Sequence, residues 1–114
     1  MTSAANGYGF PVTKLCYCLR RKPGLSREQF ARYWHDVHGP IGRQIPGLRR
    51  LVQVHAVRDG GFDGVAELWF DDLDALDAAR GSPEWARSTA DEANFVDASG
   101  SVVTVGVERE IGTS

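Results

Sequence analysis

The fold is decided by the stretch Ser26–Pro40, which reads SREQFARYWHDVHGP. Ser26 followed by Gln29 has the spacing of a capping box, so we expect a helix to begin at Ser26. Leu25, just before it, can act as a hydrophobic staple. Large side chains then recur at the i, i+3, i+4, i+7, i+8 spacing of one buried helix face: Phe30, Tyr33, Trp34, Val37 and His38. Gly39-Pro40 predicts the end of the helix.

Two of the three histidines, His35 and His38, lie at the end of this helix. Histidine is the side chain that titrates near neutral pH, so any acid/base chemistry is expected to begin here. From the turn of about 100° per residue, His38 falls on the apolar face and His35 about 60° beyond the edge of that face. His38 is therefore the candidate for chemistry and His35 is expected at the surface. A structural cap on the last helical carbonyls is the alternative role for His38.

The remaining segments alternate between strand and helix patterns. A strand pattern over Lys14–Arg21 places Leu15, Tyr17 and Leu19 on one face. The later segments are predicted as two strands joined by a glycine-rich turn, two helical pieces and a last strand: Arg50–Val57, Gly64–Phe70, Asp72–Gly81, Pro83 toward Phe95, and Ser101–Glu110. The order βαββαβ predicts an α+β, ferredoxin-like fold, with a four-stranded antiparallel sheet and helices on one face.

The size and composition of the chain indicate one domain. With 114 residues, 42% of them hydrophobic, it can bury one core. We expect residues 1–12 to be a flexible N-terminal lead-in and residues 13–110 to form the domain. Cys16 and Cys18 share one strand face and lack the second pair of a zinc site, so they are predicted to be packing residues.

The charge pattern argues against several classes of partner. The net charge is −2 and the basic residues form no continuous stripe, so nucleic-acid binding is not expected. No apolar run is long enough to span a membrane, and the first residues lack the pattern of a signal peptide. We therefore expect a cytoplasmic protein without a membrane partner.

The hairpin of the second and third strands presents a choice of register. Pairs whose residue numbers add to 122 would place His55 opposite Glu67, whereas a slip of one residue would separate them. The first choice makes one face uniformly apolar, through Val52, Val54, Ala56, Ala66, Leu68 and Phe70. It gathers on the other face Gln53, His55, Glu67 and Trp69. A carboxylate beside His55 would raise the pKa of that imidazole. An arginine is the alternative partner for Glu67.

A series of short motifs resembles the EthD-like family of dimeric α+β barrel proteins. The motifs are Arg20–Ser26 with Phe30 and Trp34, His38-Gly39-Pro40, Pro46-Gly47-Leu48, and Asp63–Phe70. Together they extend the resemblance from Lys14 to Glu110. The resemblance implies a homodimer in which two sheets face each other, with the apolar sheet face buried between subunits and the mixed face under the helices.

The resemblance also implies an activity and a site. Related proteins include cofactor-independent enzymes that cyclise or dehydrate polyketides, isomerise lactones or eliminate halide, and monooxygenases that form quinones. We expect a lyase, cyclase or isomerase acting on a small aromatic, polyketide or lactone-type carbonyl compound, without cofactor or metal. His38 resembles the helix-end histidine of the family and is the candidate base, with His55 and Glu67 as a second catalytic acid/base pair. The substrate-binding residues are expected to be Tyr17, Trp34, Trp69 and Gln53, with Tyr17 as an oxyanion donor.

Four other functions stay open at this point. One is a cofactor-free monooxygenase acting on phenols, and another is a noncatalytic protein that binds a small molecule. A metal site built from His35 and His38, with Asp36 or Glu67, would need His55 to reach across to complete it. Haem binding rests on analogy with other dimeric α+β barrels. We rank metal and haem binding below acid/base chemistry.

Overall fold

The computed structural model describes residues 12–112, so the predicted flexible lead-in lies, except for Val12, outside the described residues. The strands are β1 Thr13–Leu19, β2 Arg50–His55, β3 Gly64–Phe70 and β4 Val102–Val107. The α-helices are α1 Arg27–Tyr33, α2 Gly39–Gly42, α3 Leu73–Arg80 and α4 Pro83–Asp91. A π-helical turn, Trp34–His38, joins α1 to α2, and single 3₁₀ turns lie at Glu92–Asn94 and Ala98–Gly100.

The four strands form one antiparallel sheet in the order β2-β3-β1-β4. The helices cover one face of this sheet, and the core lies between the two layers. The largest fully buried side chains come from both layers: Trp34, Phe30, Phe70, Phe95, Leu19 and Leu76. The predicted α+β, ferredoxin-like architecture is confirmed.

The first helix begins as predicted but does not end as predicted. Ser26 caps it, and the reciprocal bonds between Ser26 and Gln29 form the capping box. The helical path continues through Gly39 to Gly42, because Pro40 occupies the first turn of α2, where a missing N–H is tolerated. In the π-turn, the N–H of Gly39 donates to the carbonyl of Trp34, five residues back. This wider turn changes the helical phase, and Val37, expected in the core, is 43% exposed.

The predicted register of the central hairpin is wrong. Val52 pairs with Glu67, and His55 pairs with Gly64, so His55 and Glu67 lie on opposite faces of the sheet. Gln53 and His55 are on the helix-covered side, as expected, and Val52 and Val54 on the other side. The error concerns β3. Its face with Ala66, Leu68 and Phe70 is turned toward the helices, whereas the prediction had turned it away from them.

The physical reason for this register lies in the apolar helix faces above the sheet. They pack on the most apolar strand residues, so Ala66, Leu68 and Phe70 are buried under the helices instead of facing away from them. Gly64 adds space on the same side, where the ring of Trp34 lies. Glu67 and Trp69 are consequently turned to the face without helices.

The face without helices carries a compact polar group. Lys14 forms an ion pair with Glu67, and its ammonium lies 4.4 Å from the ring centre of Trp69. The guanidinium of Arg50 lies 4.7 Å from the same ring, and the indole N–H donates to Glu108 over 2.5 Å. The partner of Glu67 is therefore a lysine on β1.

Two further observations concern sequence predictions. Cys16 and Cys18 are both free thiols of intermediate burial. Within residues 12–112, no helix combines the length and the apolar character required to cross a membrane.

Candidate functional site

A cavity of about 340 Å³ lies between the helices and the covered face of the sheet. The sheet contributes leucines, Ala66 and Gln53, and the helices contribute small residues at Gly39, Gly42 and Ser88. The aromatic and titratable side chains that line it are Tyr17, Trp34, His38, Arg80, Trp85, Glu92 and Phe95. A largely apolar cavity with a few polar groups is typical of a small-molecule site.

His38 stands in the wall of this cavity and is held by Asp91 of α4. Its Nδ1 lies 2.8 Å from Oδ2 of Asp91, and the two side chains are 14% and 12% exposed. The imidazole packs on Phe95, with 4.7 Å between ring centres. Ser88 Oγ lies 3.5 Å from Nε2, at the far limit of a hydrogen bond. The sequence prediction that His38 faces the interior is thus confirmed in position.

The surroundings of Asp91 keep its carboxyl group ionised. Desolvation by burial acts to raise the pKa, but hydrogen bonds from Tyr33, His38 and Asn94 outweigh it and hold the pKa of Asp91 below its usual value. The hydroxyl of Tyr33 donates over 2.6 Å and the amide of Asn94 over 3.1 Å. Since a carboxylate can only accept, Nδ1 of His38 carries the proton of this bond. In the neutral imidazole the free lone pair is then on Nε2.

A second carboxyl group, Glu92, lines the same cavity one residue after Asp91. The hydroxyl of Tyr17 donates to its Oε1 over 2.9 Å. Desolvation raises the pKa of Glu92 above its usual value, although the bond from Tyr17 and the nearby His38 act in the opposite direction. Burial and the neighbouring Glu92 likewise raise the pKa of Tyr17 to about 12, so this hydroxyl stays protonated at neutral pH.

Three predicted site residues are not in this cavity. Glu67 and Trp69 lie on the other face of the sheet, for the reason given by the β3 register. His55 stacks on Trp34, with ring centres 4.5 Å apart, and faces an open groove that it shares with His35. Burial and the nearby His35 lower the pKa of His55, so the predicted increase is wrong.

Tyr17, Trp34 and Gln53 do line the cavity, as the sequence analysis expected. Gln53 also has a structural task, because its amide donates to the carbonyl of Trp34 over 2.8 Å and accepts from Nε2 of His55 over 2.9 Å. The catalytic and substrate-binding roles of all these residues stay predictions.

Asp91 and Glu92 were not among the residues predicted from the sequence. A signal for Glu92 was present, since Trp85, Ser88 and Glu92 have the i, i+3, i+7 spacing of one helix face. That spacing places Ser88 and Glu92 on the same side of α4 as Trp85, which lines the cavity. Nothing local indicates that Asp91 would meet a histidine 53 residues away in the chain.

A metal site would need several histidine, cysteine or carboxylate side chains close together, and the sequence offered His35, His38 and His55 for such a site. Among the residues that the structure describes, no three such side chains come close enough to share an ion. His35 is instead bonded to Asp36, with 2.8 Å between Nδ1 and Oδ1, and its side chain is 75% exposed.

Comparisons with known proteins bear on both fold and family. The family model described as EthD domain matches residues 22–99. A solved EthD family protein from Bacillus halodurans C-125 is 25% identical, with a TM-score of 0.68 over 88% of this chain and 99% of that chain. Comparison with curated proteins gives no match.

Two more distant structures share the fold. A dimeric ferredoxin-like protein of unknown function from Thermobifida fusca YX has a TM-score of 0.70 at 14% identity, over 92% of this chain and 99% of that chain. Hydroxynitrile lyase from Passiflora edulis has a TM-score of 0.69 at 16% identity, over 90% of this chain and 98% of that chain. At such identities the likeness concerns the fold alone.

Proposed function

The chain belongs to the EthD family, and from that premise we propose that its cavity binds a small carbonyl compound and that His38 removes a proton from it. The observation that carries the proposal is the bond of 2.8 Å between His38 and Asp91 in the cavity wall. Asp91 fixes the imidazole in the tautomer whose lone pair is on Nε2, where it can accept a proton. The role of Asp91 is that of a positioning residue.

The walls of the cavity suit this chemistry. Aromatic rings and leucines exclude water from the cavity. A neutral imidazole can then accept a proton from the ligand with less competition from water molecules. Proton removal next to a carbonyl is the common first step of lyases, cyclases and isomerases, and it requires a base and a hydrogen-bond donor. A hydroxynitrile lyase shares the fold, which supports the compatibility of this architecture with a lyase.

We further propose that the working form is a homodimer in the cytoplasm. The sheet face without helices exposes Val54 by 46% and Val102 by 54%, and a second copy would cover these side chains. The similar protein from Thermobifida fusca is dimeric, which supports this assembly. In such a dimer, Lys14, Glu67 and Trp69 would lie between the two sheets.

The test measures hydrogen exchange into a ketone probe. 2-Tetralone in deuterated buffer loses its C1 protons when a base removes them, and ¹H NMR follows the loss. We expect the protein to accelerate this exchange and His38→Gln to reduce the acceleration by about 10²–10⁴-fold, the usual contribution of a general base. Binding, measured by quenching of tryptophan fluorescence, should persist in the variant.

His35→Gln is the matched control, because His35 is three residues away on the same helical segment and 75% exposed. Its exchange rate should equal that of the wild-type protein. Equal exchange in His38→Gln would refute the role of His38 as base. Oxygen consumption with anthrone in place of exchange would favour the monooxygenase, and binding without either reaction would favour a noncatalytic binding protein.

A further inference from the structure

Glu92 lines the cavity and the neighbouring Asp91 bonds to His38 in its wall, so the two adjacent carboxyl groups have different environments. Asp91 accepts hydrogen bonds from Tyr33, His38 and Asn94. Within the described part of the chain, Glu92 accepts one, from Tyr17. Three donors stabilise a negative charge far better than one donor in an apolar wall does. The geometry thus favours the ionised form more strongly at Asp91 than at Glu92.

We propose that Glu92 acts as a carboxylic acid that donates its proton to the carbonyl oxygen of the substrate while His38 removes a proton from the adjacent carbon. Tyr17, whose hydroxyl donates to Glu92, holds this carboxyl group in place. This inference rests on the proposed function and identifies the second catalytic group of the cavity. It replaces the pair of His55 and Glu67, which the β3 register separates.

The reaction step balances without an oxidant or reductant. The C–H bond breaks, and its proton goes to Nε2 of His38. The electron pair of that bond forms a carbon–carbon double bond, and the π pair of the carbonyl group moves to oxygen. The oxygen takes the proton of Glu92, which leaves a neutral enol, a carboxylate and an imidazolium. Return of both protons regenerates the groups, and return to another carbon isomerises the substrate.

This arrangement indicates the class of substrate. Glu92 as an acid in the cavity wall needs an acceptor for its proton, and a carbonyl oxygen supplies one. A neutral ketone, aldehyde or lactone with an acidic C–H fits the polar groups. The apolar remainder of the wall suits an aromatic or aliphatic body on that carbonyl compound.

The acid role predicts how activity depends on pH. The titratable groups that face Glu92 are Tyr17 on β1, His38 in the π-turn and the neighbouring Asp91. Tyr17 stays protonated, with a pKa of about 12, and Asp91 stays ionised through the neutral range. Loss of activity as pH rises should therefore follow the ionisation of Glu92, whose pKa is raised by burial.

The first experiment needs no substrate. ¹³C NMR of protein labelled at the glutamate carboxyl carbons, with Glu92→Gln used for assignment, follows the ionisation of each glutamate. We expect Glu92 to ionise at a higher pH than the other glutamates. Tyr17→Phe, which removes the hydrogen bond to the carboxylate, should raise the pH of this ionisation further. Ionisation of Glu92 together with the exposed glutamates would overturn the inference, whatever the activity.

The second experiment uses the exchange of 2-tetralone. Glu92→Gln keeps the size of the side chain and an acceptor for Tyr17 but loses the acid proton. We expect kcat to fall by about 10²-fold or more with KM nearly unchanged, and the high-pH loss of activity to disappear. Glu84→Gln, in the first turn of α4, the helix that directly precedes Glu92, lies outside the cavity wall; it is the matched control and should behave as wild-type.

The outcomes separate the two proposals. Exchange that depends on His38 but is unchanged in Glu92→Gln would overturn this inference and leave the proposed function standing. If the wild-type protein does not accelerate exchange, the proposed function is refuted, and so is the role of Glu92 in that function.

Discussion

The substitution Gly64→Ala tests the observed register of the hairpin through its packing against Trp34. A methyl group at this position would lie 2.3 and 2.7 Å from two ring carbons of Trp34 and 2.8 Å from the carbonyl oxygen of Val54. Normal carbon contacts are about 3.5–4.0 Å, so the ring would have to move by more than about 1 Å. Trp34 is 1% exposed and packed between Phe30 and His55, with ring centres 5.4 and 4.5 Å away.

Overpacking of this kind costs about 1–3 kcal/mol in the free energy of unfolding. With an unfolding entropy of about 2.1 cal/mol/K per residue, that corresponds to a decrease in Tm of roughly 5–15 °C for a domain of this size. Thermal unfolding followed by circular dichroism measures the decrease. Because Trp34 also lines the cavity, binding of 2-tetralone should weaken in parallel.

Gly61→Ala is the control for this prediction. Gly61 lies in the connection between β2 and β3, nothing lies within 4 Å of its added methyl group, and its φ is not left-handed. Its Tm should stay at or slightly above the wild-type value, since alanine restricts the unfolded chain. Equal melting temperatures for the two variants would refute the packing of Trp34 on Gly64, and with it the register that pairs Gly64 with His55.

Three other predictions concern the site and the assembly. Asp91→Asn should lower the 2-tetralone exchange rate. Because the pKa of Asp91 is depressed in the folded state, its ionised carboxylate stabilises the fold at pH 7, and this stabilisation is lost as pH falls through the folded pKa. The free energies of unfolding of variant and wild-type, measured with urea, should therefore converge in acid. Glu92→Gln should have the opposite sign, because a pKa raised in the folded state makes ionised Glu92 destabilising. The variant should therefore gain stability relative to wild-type as pH rises from the pKa of an unfolded glutamate through the raised folded pKa, and an equal difference at all pH values would contradict this. Val54→Glu should convert the proposed dimer to a monomer in light scattering, whereas Val57→Glu, at a position 88% exposed, should not.

Local signals in the sequence were sufficient for the elements and their order. The capping box of Ser26 and Gln29, for example, depends on residues three apart and is present as predicted. Local signals did not determine the register of β2 and β3, because the connection from residue 56 to residue 63 is too long for its turn residues to fix the pairing. The choice depended on which face of β3 the helices cover, and that is a property of the assembled core. The prediction placed the apolar face of β3 against the partner subunit, whereas in the structure the helices of the same chain bury it.

The candidate site divides in the same way. His38 could be identified from the spacing of its own helix, since its inward position follows from the residues around it. Its partner could not, because Asp91 reaches it through the packing of α4 against α2, which follows His38 directly. Glu92 and Tyr17 are 75 residues apart and meet because the helices pack on the sheet that contains β1.

The π-turn connects the sequence motif to the geometry of the site. A regular helix ending at Gly39 would leave the carbonyl of Trp34 to bond four residues ahead, to His38 itself. Instead that carbonyl accepts from the N–H of Gly39 and from the amide of Gln53, one strand below. Gln53 can do this because β2 places it on the helix-covered side, opposite Ala66, whose small side chain leaves the cavity open. The orientation of His38 toward Asp91 therefore depends on a glutamine in the sheet, and Gln53→Leu should impair exchange of 2-tetralone without removing any group that exchanges protons.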